Sequence, residues 1–220
     1  VTTQRTATST IGQHLRTRRR DWLVPAGLVL LSIVPVVAGA MRLTELTAGT
    51  EITESNARFF ASPVPVVAHI VSATVFCLLG AFQFVPRLRR GRPRWHQVAG
   101  RIVLPAGVTA GLSGIWMAVF YTRPELDMFV RLFFGSLMVA SLLLALRAIV
   151  RRDIATHRAW MIRGYAVGIA AGTQVFTTIP WSLANGGVLP DPTTAVALLT
   201  AGWIINLAVA EFVIRRRSLS

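Results

Sequence analysis

The sequence predicts an all-α, polytopic membrane protein with six transmembrane helices, and three observations carry that fold class. The first is composition. Of 220 residues, 53% are apolar and 15% charged, with a mean hydropathy of +0.57, whereas a soluble domain carries roughly 25% charge. The second is pattern: six apolar stretches recur, each long enough to cross a hydrocarbon layer of about 30 Å, which takes about 20 residues at 1.5 Å each. The third is charge placement: all 23 basic residues are arginine, and they gather between alternate stretches. These numbers exclude a disordered chain, a disulfide scaffold and a collagen-like repeat. The single cysteine, Cys77, has no disulfide partner within the chain.

The six spans are expected near 22–42, 64–86, 98–121, 129–150, 159–181 and 193–214. None alternates with period two, which argues against a β-barrel. Pro35, Pro105, Gly168 and Gly172 fall inside spans, where lipid-embedded helices tolerate them. Gly107, Gly111 and Gly114 suit close contact between helices. Asp191-Pro192-Thr193 reads as the cap and start of the sixth helix, and Gly186-Gly187 as a turn before it. Residues 1–20, polar and Thr-rich, are expected to be a mobile cytoplasmic tail ahead of a six-helix domain over 21–217. A rival reading of the start is a signal peptide: Thr17-Arg18-Arg19-Arg20, an apolar run, then Ala38-Gly39-Ala40. The run is long for that role, and the chain goes on spanning after it.

Arginine counting sets the orientation. With the N-terminus inside, the inner segments hold Arg5, Arg16 and Arg18 to Arg20; Arg87, Arg89, Arg90, Arg92, Arg94 and Arg101; Arg147, Arg151, Arg152, Arg158 and Arg163; and Arg215 to Arg217. Only Arg42, Arg58, Arg123 and Arg131 remain outside. Both termini are therefore expected in the cytoplasm of a bacterial plasma membrane. Trp22, Trp95 and Trp160 mark the inner interface, Tyr121 and Trp181 the outer one. Charge clustered between apolar runs speaks for the bilayer and anionic lipid headgroups as partners, not for nucleic acid.

Two inner loops share a pattern. Arg87-Leu88-Arg89-Arg90-Gly91-Arg92-Pro93-Arg94-Trp95-His96 leads to Gly100-Arg101; Arg147 to Arg152, then Asp153, leads to His157-Arg158-Ala159-Trp160-Met161-Ile162-Arg163. Each is an arginine cluster, a histidine, and an arginine about a turn inside the next helix. The pattern suggests two related hairpins, helices 2–3 and 4–5, forming a four-helix core about an axis along the membrane normal. Arg101 and Arg163 then call for a carboxylate at similar depth. Glu211, four residues before Arg215, is the candidate, as a packing clamp or as part of a relay.

The histidines allow competing readings. His69, near the outer end of helix 2, is either a functional group or a hydrogen bond between helices. No H-E-x-x-H and no cysteine pair exists, so no metal site is expected. A b-type haem held by His96 and His157 meets the demand for one histidine on each of two facing helices, but both lie shallow. Hydrolase and kinase signatures are missing: Ser113 between Gly111 and Gly114 is not a nucleophile elbow, and no strand precedes it.

The chain resembles the membrane proteins grouped as domain of unknown function 2306. The resemblance rests on Asn56-Ala57-Arg58-Phe59-Phe60 with Pro63 and Pro65 before His69, on Gly80-Ala81-Phe82-Gln83-Phe84, and on His96 with Gly100-Arg101. It continues in His157 to Arg163 and in Asn206 with Glu211, covering about 56–213. It implies a multi-helix membrane protein without an assigned activity. It also draws attention to His69, Gln83, His96, Arg101, His157, Arg163, Asn206 and Glu211 as a ligand-binding set. The expected role is an inner polar pocket for an anionic ligand or headgroup in a binding, transport or accessory protein. The alternatives are a haem electron carrier and a structural partner subunit or homo-oligomer whose polar residues fix packing.

Overall fold

The computed structural model describes the backbone of residues 2–121 and 125–218, and the side chains of 22–121 and 125–216. Arg123 and the side chains of Arg5, Arg16, Arg18 to Arg20 and Arg217 lie outside the described residues. Among those described, every regular element is helical. The elements are α1 (Thr2–Thr47), α2 (Ala57–Ala61), α3 (Pro63–Phe82), α4 (Pro86–Gly91), α5 (Pro93–Tyr121), α6 (Glu125–Val150), α7 (Ile154–Gly168), α8 (Ala170–Ala184) and α9 (Pro192–Ser218). Five segments are long and apolar enough to cross a membrane: Trp22–Thr47, Pro63–Phe82, Pro93–Tyr121, Glu125–Val150 and Pro192–Arg216.

The stretch expected as one helix over 159–181 is two. α7 and α8 have 15 residues each and meet at Ile169, whose N–H bonds back to Tyr165 O at 3.0 Å. The physical reason lies in Gly168 and Gly172, weak helix formers on either side of the break. Side chains take up the carbonyls left near it. Asn206 Nδ2 donates to Ala166 O at 2.9 Å, and Cys77 Sγ lies 3.7 Å from Gly168 O as a weak donor. Glycine at 172 is also a steric requirement: a Cβ there would sit 2.0 Å from the Leu31 carbonyl oxygen of α1.

Sequential helices pack together: α3 on α5, α5 on α6, α6 on α7, and α8 on α9, with α1 lying against α3 and α8. The buried cluster takes Phe76 and Cys77 from α3, Val103 and Ala110 from α5, Phe134, Met138 and Leu142 from α6, and Tyr165 and Val167 from α7. Its centre is Phe76, fully buried. A Cβ at Gly107 or at Gly168 would fall 2.5 Å from the Phe76 ring. The two glycines are thus the slots that admit the ring between α5 and α7. Tyr165 packs beside it and donates its hydroxyl to Cys77 O at 2.7 Å. The opposite faces carry Leu, Val, Ile and Phe into the surroundings, with Leu30, Phe133, Val150 and Phe176 among the most exposed. Apolar side chains outside and small residues at the contacts are what a lipid solvent selects.

One end of the bundle carries the α3–α4–α5 and α6–α7 connections and is rich in arginine. At the other end Asn56, buried, holds the α1–α3 connection: Nδ2 donates to Glu45 Oε1 and Glu51 O, and Oδ1 accepts from Thr53 N–H at 2.7 Å. Arg42 and Arg58 flank the Phe59 ring there, and Tyr121 donates to Ser62 O. The first motif of the resemblance is therefore an architectural knot.

Candidate functional site

The arginine-rich end contains two corners built from the same residue types. In the α6–α7 corner, Asp153 N–H bonds to Ala148 O and Arg152 N–H to Ile149 O, the pattern that closes a helix C-terminus. Asp153 then caps α7, accepting from Thr156 N–H at 3.0 Å. That bond holds its carboxyl below the usual carboxylate range. One turn on, His157 donates its Nδ1–H to Ala145 O of α6 at 2.9 Å. Two turns on, Arg163 meets Glu211 of α9 in a bidentate pair, Nε to Oε1 at 2.5 Å and Nη2 to Oε2 at 3.0 Å. Of the two arginines considered for Glu211, the structure takes Arg163.

The α3–α4–α5 corner is different. Short helix α4 fills the connection, and its start has no side-chain cap. Gln83 ends α3 with its Nε2 buried and without a hydrogen-bond acceptor. His96 lies on the inward face of α5 with Ala99 and Val103, and its Nδ1 is likewise buried without a partner. It sits within electrostatic range of Arg89 and His157. Arg87, Arg90, Arg92 and Arg94 are exposed and make no ion pair among the described residues. Arg101, five residues after His96, falls on the outward face with Val98 and Ile102. Its long stem suits a guanidinium that reaches back to the headgroup layer.

The remaining candidates lie deeper. Asn206 bridges the α7–α8 break, accepting from Thr173 Oγ1 at 2.8 Å while donating to Ala166 O. Its neighbours Gln174 and Thr177 donate to Leu199 O and Leu198 O, stitching α8 to α9. These are packing roles. His69 stands in the other half of the bundle. Its Nδ1–H donates to Ala110 O of α5 at 2.9 Å, with Ser113 Oγ 3.2 Å away. The acidic groups toward that end of the bundle are engaged elsewhere, Glu45 with Arg42 and Asn56, Asp127 with Arg131. His69 instead borders a cavity of about 150 Å³ between α1, α3 and the α7–α8 break.

The eight candidates thus fall into separate places. His96, Gln83 and His157 share the arginine-rich end; Arg163 and Glu211 neutralise each other beside them; Arg101, Asn206 and His69 lie apart. No cluster of three or more metal-ligating side chains occurs among the described residues. Sequence reasoning named Asn56 only within a motif and gave it no role, and it missed the break at Ile169. Gly168 and Gly172 flank the latter, but continuous membrane helices tolerate both, so they are no signal of a break by themselves.

The sequence profile described as "Predicted membrane protein (DUF2306)" matches residues 66–214. The chain belongs to this family. The match takes in seven of the apolar or connecting helices from α3 to α9, and so both arginine-rich corners. No curated protein and no solved structure matches this DUF2306 chain.

Proposed function

We propose that this DUF2306 protein crosses a bacterial plasma membrane six times, with α7 and α8 together making the fifth crossing and helices α3, α5, α6 and α7–α8 the four-helix core. The arginine-rich end faces the cytoplasm, with both termini on that side, as the asymmetry of arginine favours. At that end the α3–α4–α5 corner binds a phosphate-type anion, supplied by a lipid headgroup or by a soluble ligand. The observation that carries this reading is a surplus of donors. Gln83 Nε2 is buried without an acceptor, and His96 Nδ1, which donates in one of the two neutral tautomers, is buried without a partner. The described carboxylates of that end, Asp153 and Glu211, are committed to Thr156 and Arg163. Buried donors left unpaired cost about 1–3 kcal/mol each, and an anion's oxygens would satisfy them.

The test compares melting of the purified protein in neutral detergent with added phosphatidylglycerol, phosphatidylcholine or inorganic phosphate. Phosphatidylglycerol or phosphate is expected to raise the melting temperature, as any ligand of the folded state does. Gln83→Leu is expected to leave the ligand-free protein as stable or more stable, since an orphaned donor is removed, while weakening the anion response. A Gln83→Leu variant that melts lower and responds fully would reject the reading.

A second reading keeps b-type haem at His96 and His157. Its supporting observation is the bond from His157 Nδ1–H to Ala145 O, the arrangement that orients a metal-binding histidine. A reduced-minus-oxidised visible spectrum of the purified protein, repeated on His157→Ala, decides it.

A further inference from the structure

The cavity beside His69 is separate from the arginine-rich corner and follows from the break in the fifth apolar stretch. Ser32 of α1, His69, Ala73, Thr74 and Phe76 of α3, and Ile169 at the break line it. Its volume, about 150 Å³, is that of a cavity that admits a single six-membered ring. The lining is largely apolar, and its polar groups are mostly spent. Ser32 Oγ donates to Leu28 O, and Cys77 Sγ points to Gly168 O. Ordered water needs two to four polar partners, which this lining does not provide. One acceptor stands out. Because Nδ1 carries its proton to Ala110 O, the His69 imidazole is neutral-tautomer geometry with its lone pair on Nε2. No protein donor meets Nε2 among the described residues. Broken helices inside membrane proteins are tolerated where the freed backbone is buried in protein, as Ala166 O and Gly168 O are here by Asn206 and Cys77.

We propose that this cavity is a binding site for a small aromatic ring bearing one hydroxyl, such as a phenol or hydroquinone headgroup, which fills the apolar space and donates its O–H to His69 Nε2. The ring supplies the buried area and the hydroxyl supplies the orientation. The probes are 4-fluorophenol and fluorobenzene, which differ in the hydroxyl alone, observed by fluorine NMR on the full chain in detergent. A saturable bound resonance is expected for both, with 4-fluorophenol binding about five- to ten-fold tighter, the worth of one net hydrogen bond. His69→Phe should abolish that preference. Ala73→Leu, one turn from His69 on the same face of α3, fills the cavity while keeping the imidazole, and should abolish saturable binding of both. Absence of a saturable resonance, equal affinity of the two probes for the native chain, or unchanged binding by Ala73→Leu would each overturn the proposal. The anion response of the arginine-rich corner should persist in both variants, so failure here is distinguishable from failure there.

Discussion

The two corners at the arginine-rich end carry the same residue types and do opposite things with them. In the α6–α7 corner three residues turn the chain, and the aspartate, the histidine and the deeper arginine each find a partner within the protein: Asp153 with Thr156, His157 with Ala145, Arg163 with Glu211. In the α3–α4–α5 corner residues 83–92 make the connection, the equivalent histidine has a bare Nδ1, and the equivalent arginine, Arg101, points outward. The difference comes from the length of the connection and from the partner helix. A short corner brings Ala145 O of α6 to His157, whereas in the other corner α4 lies between α3 and α5 in the chain. Likewise α9 places Glu211 against α7, whereas no ion pair joins a carboxylate to α5 among the described residues. A shared motif thus yields a corner whose histidine and deeper arginine are tied to neighbouring helices and one whose histidine has a buried Nδ1 without a partner.

The largest effect that would break this contrast is loss of the clamp. Glu211→Gln leaves Arg163 without its counter-charge. The pair is 25% and 36% exposed, between a surface pair worth up to about 1 kcal/mol and a buried one whose disruption costs about 3–5. A loss of about 2 kcal/mol is expected, read as a lower melting temperature. Arg163→Met combined with Glu211→Gln should recover part of it, because the uncompensated charge is gone. If the single variant melts like the native protein, the α6–α7 corner is not closed by this pair.

Much of the fold was legible because lipid imposes simple rules. Span length, the arginine asymmetry and the Asp191 cap, which accepts from Thr193 and Thr194 N–H, are local signals. The pairing of Glu211 with an arginine at matching depth followed from the cost of isolated charge. The break at Ile169 was not legible, since Gly168 and Gly172 are tolerated in continuous membrane helices as well. What decides it is non-local: Leu31 of α1 pressing on Gly172 and Asn206 of α9 taking the Ala166 carbonyl. The candidate site was legible as residue types but not as an assembly. Arg101 and His96 are close in sequence, yet 100° of helical rotation per residue sends them to opposite faces.

A smaller effect concerns the turn itself. Arg152 has φ of 62°, the left-handed conformation that a side chain disfavours and glycine adopts freely. Arg152→Gly should raise stability by about 1 kcal/mol, the order of the left-handed penalty it relieves. Arg152→Ala should not, and an equal gain from both would trace the effect to charge removal.

The smallest effect is acid dependence of the same corner. The hydrogen bond from Thr156 N–H favours the ionised form of Asp153 and depresses its folded value. The associated stability is present above the usual carboxylate range and is lost as pH falls through the depressed folded value. Asp153→Asn keeps a side-chain oxygen for the cap but removes the titration. The variant should match the native melting temperature near neutral pH to within a degree or two. Below the carboxylate range it should show a shallower decline. Asp191 caps α9 in the same way, with a carboxyl also held low by its bonds to Thr194 and Thr193, so the decline should flatten further when both caps are asparagine, with the remainder left to the Glu211 carboxylate that pairs with Arg163. An undiminished decline in the double variant would assign the acid sensitivity to the Arg163–Glu211 clamp instead, and the two corners would then differ in charge pairing alone and not in how their helix ends are closed.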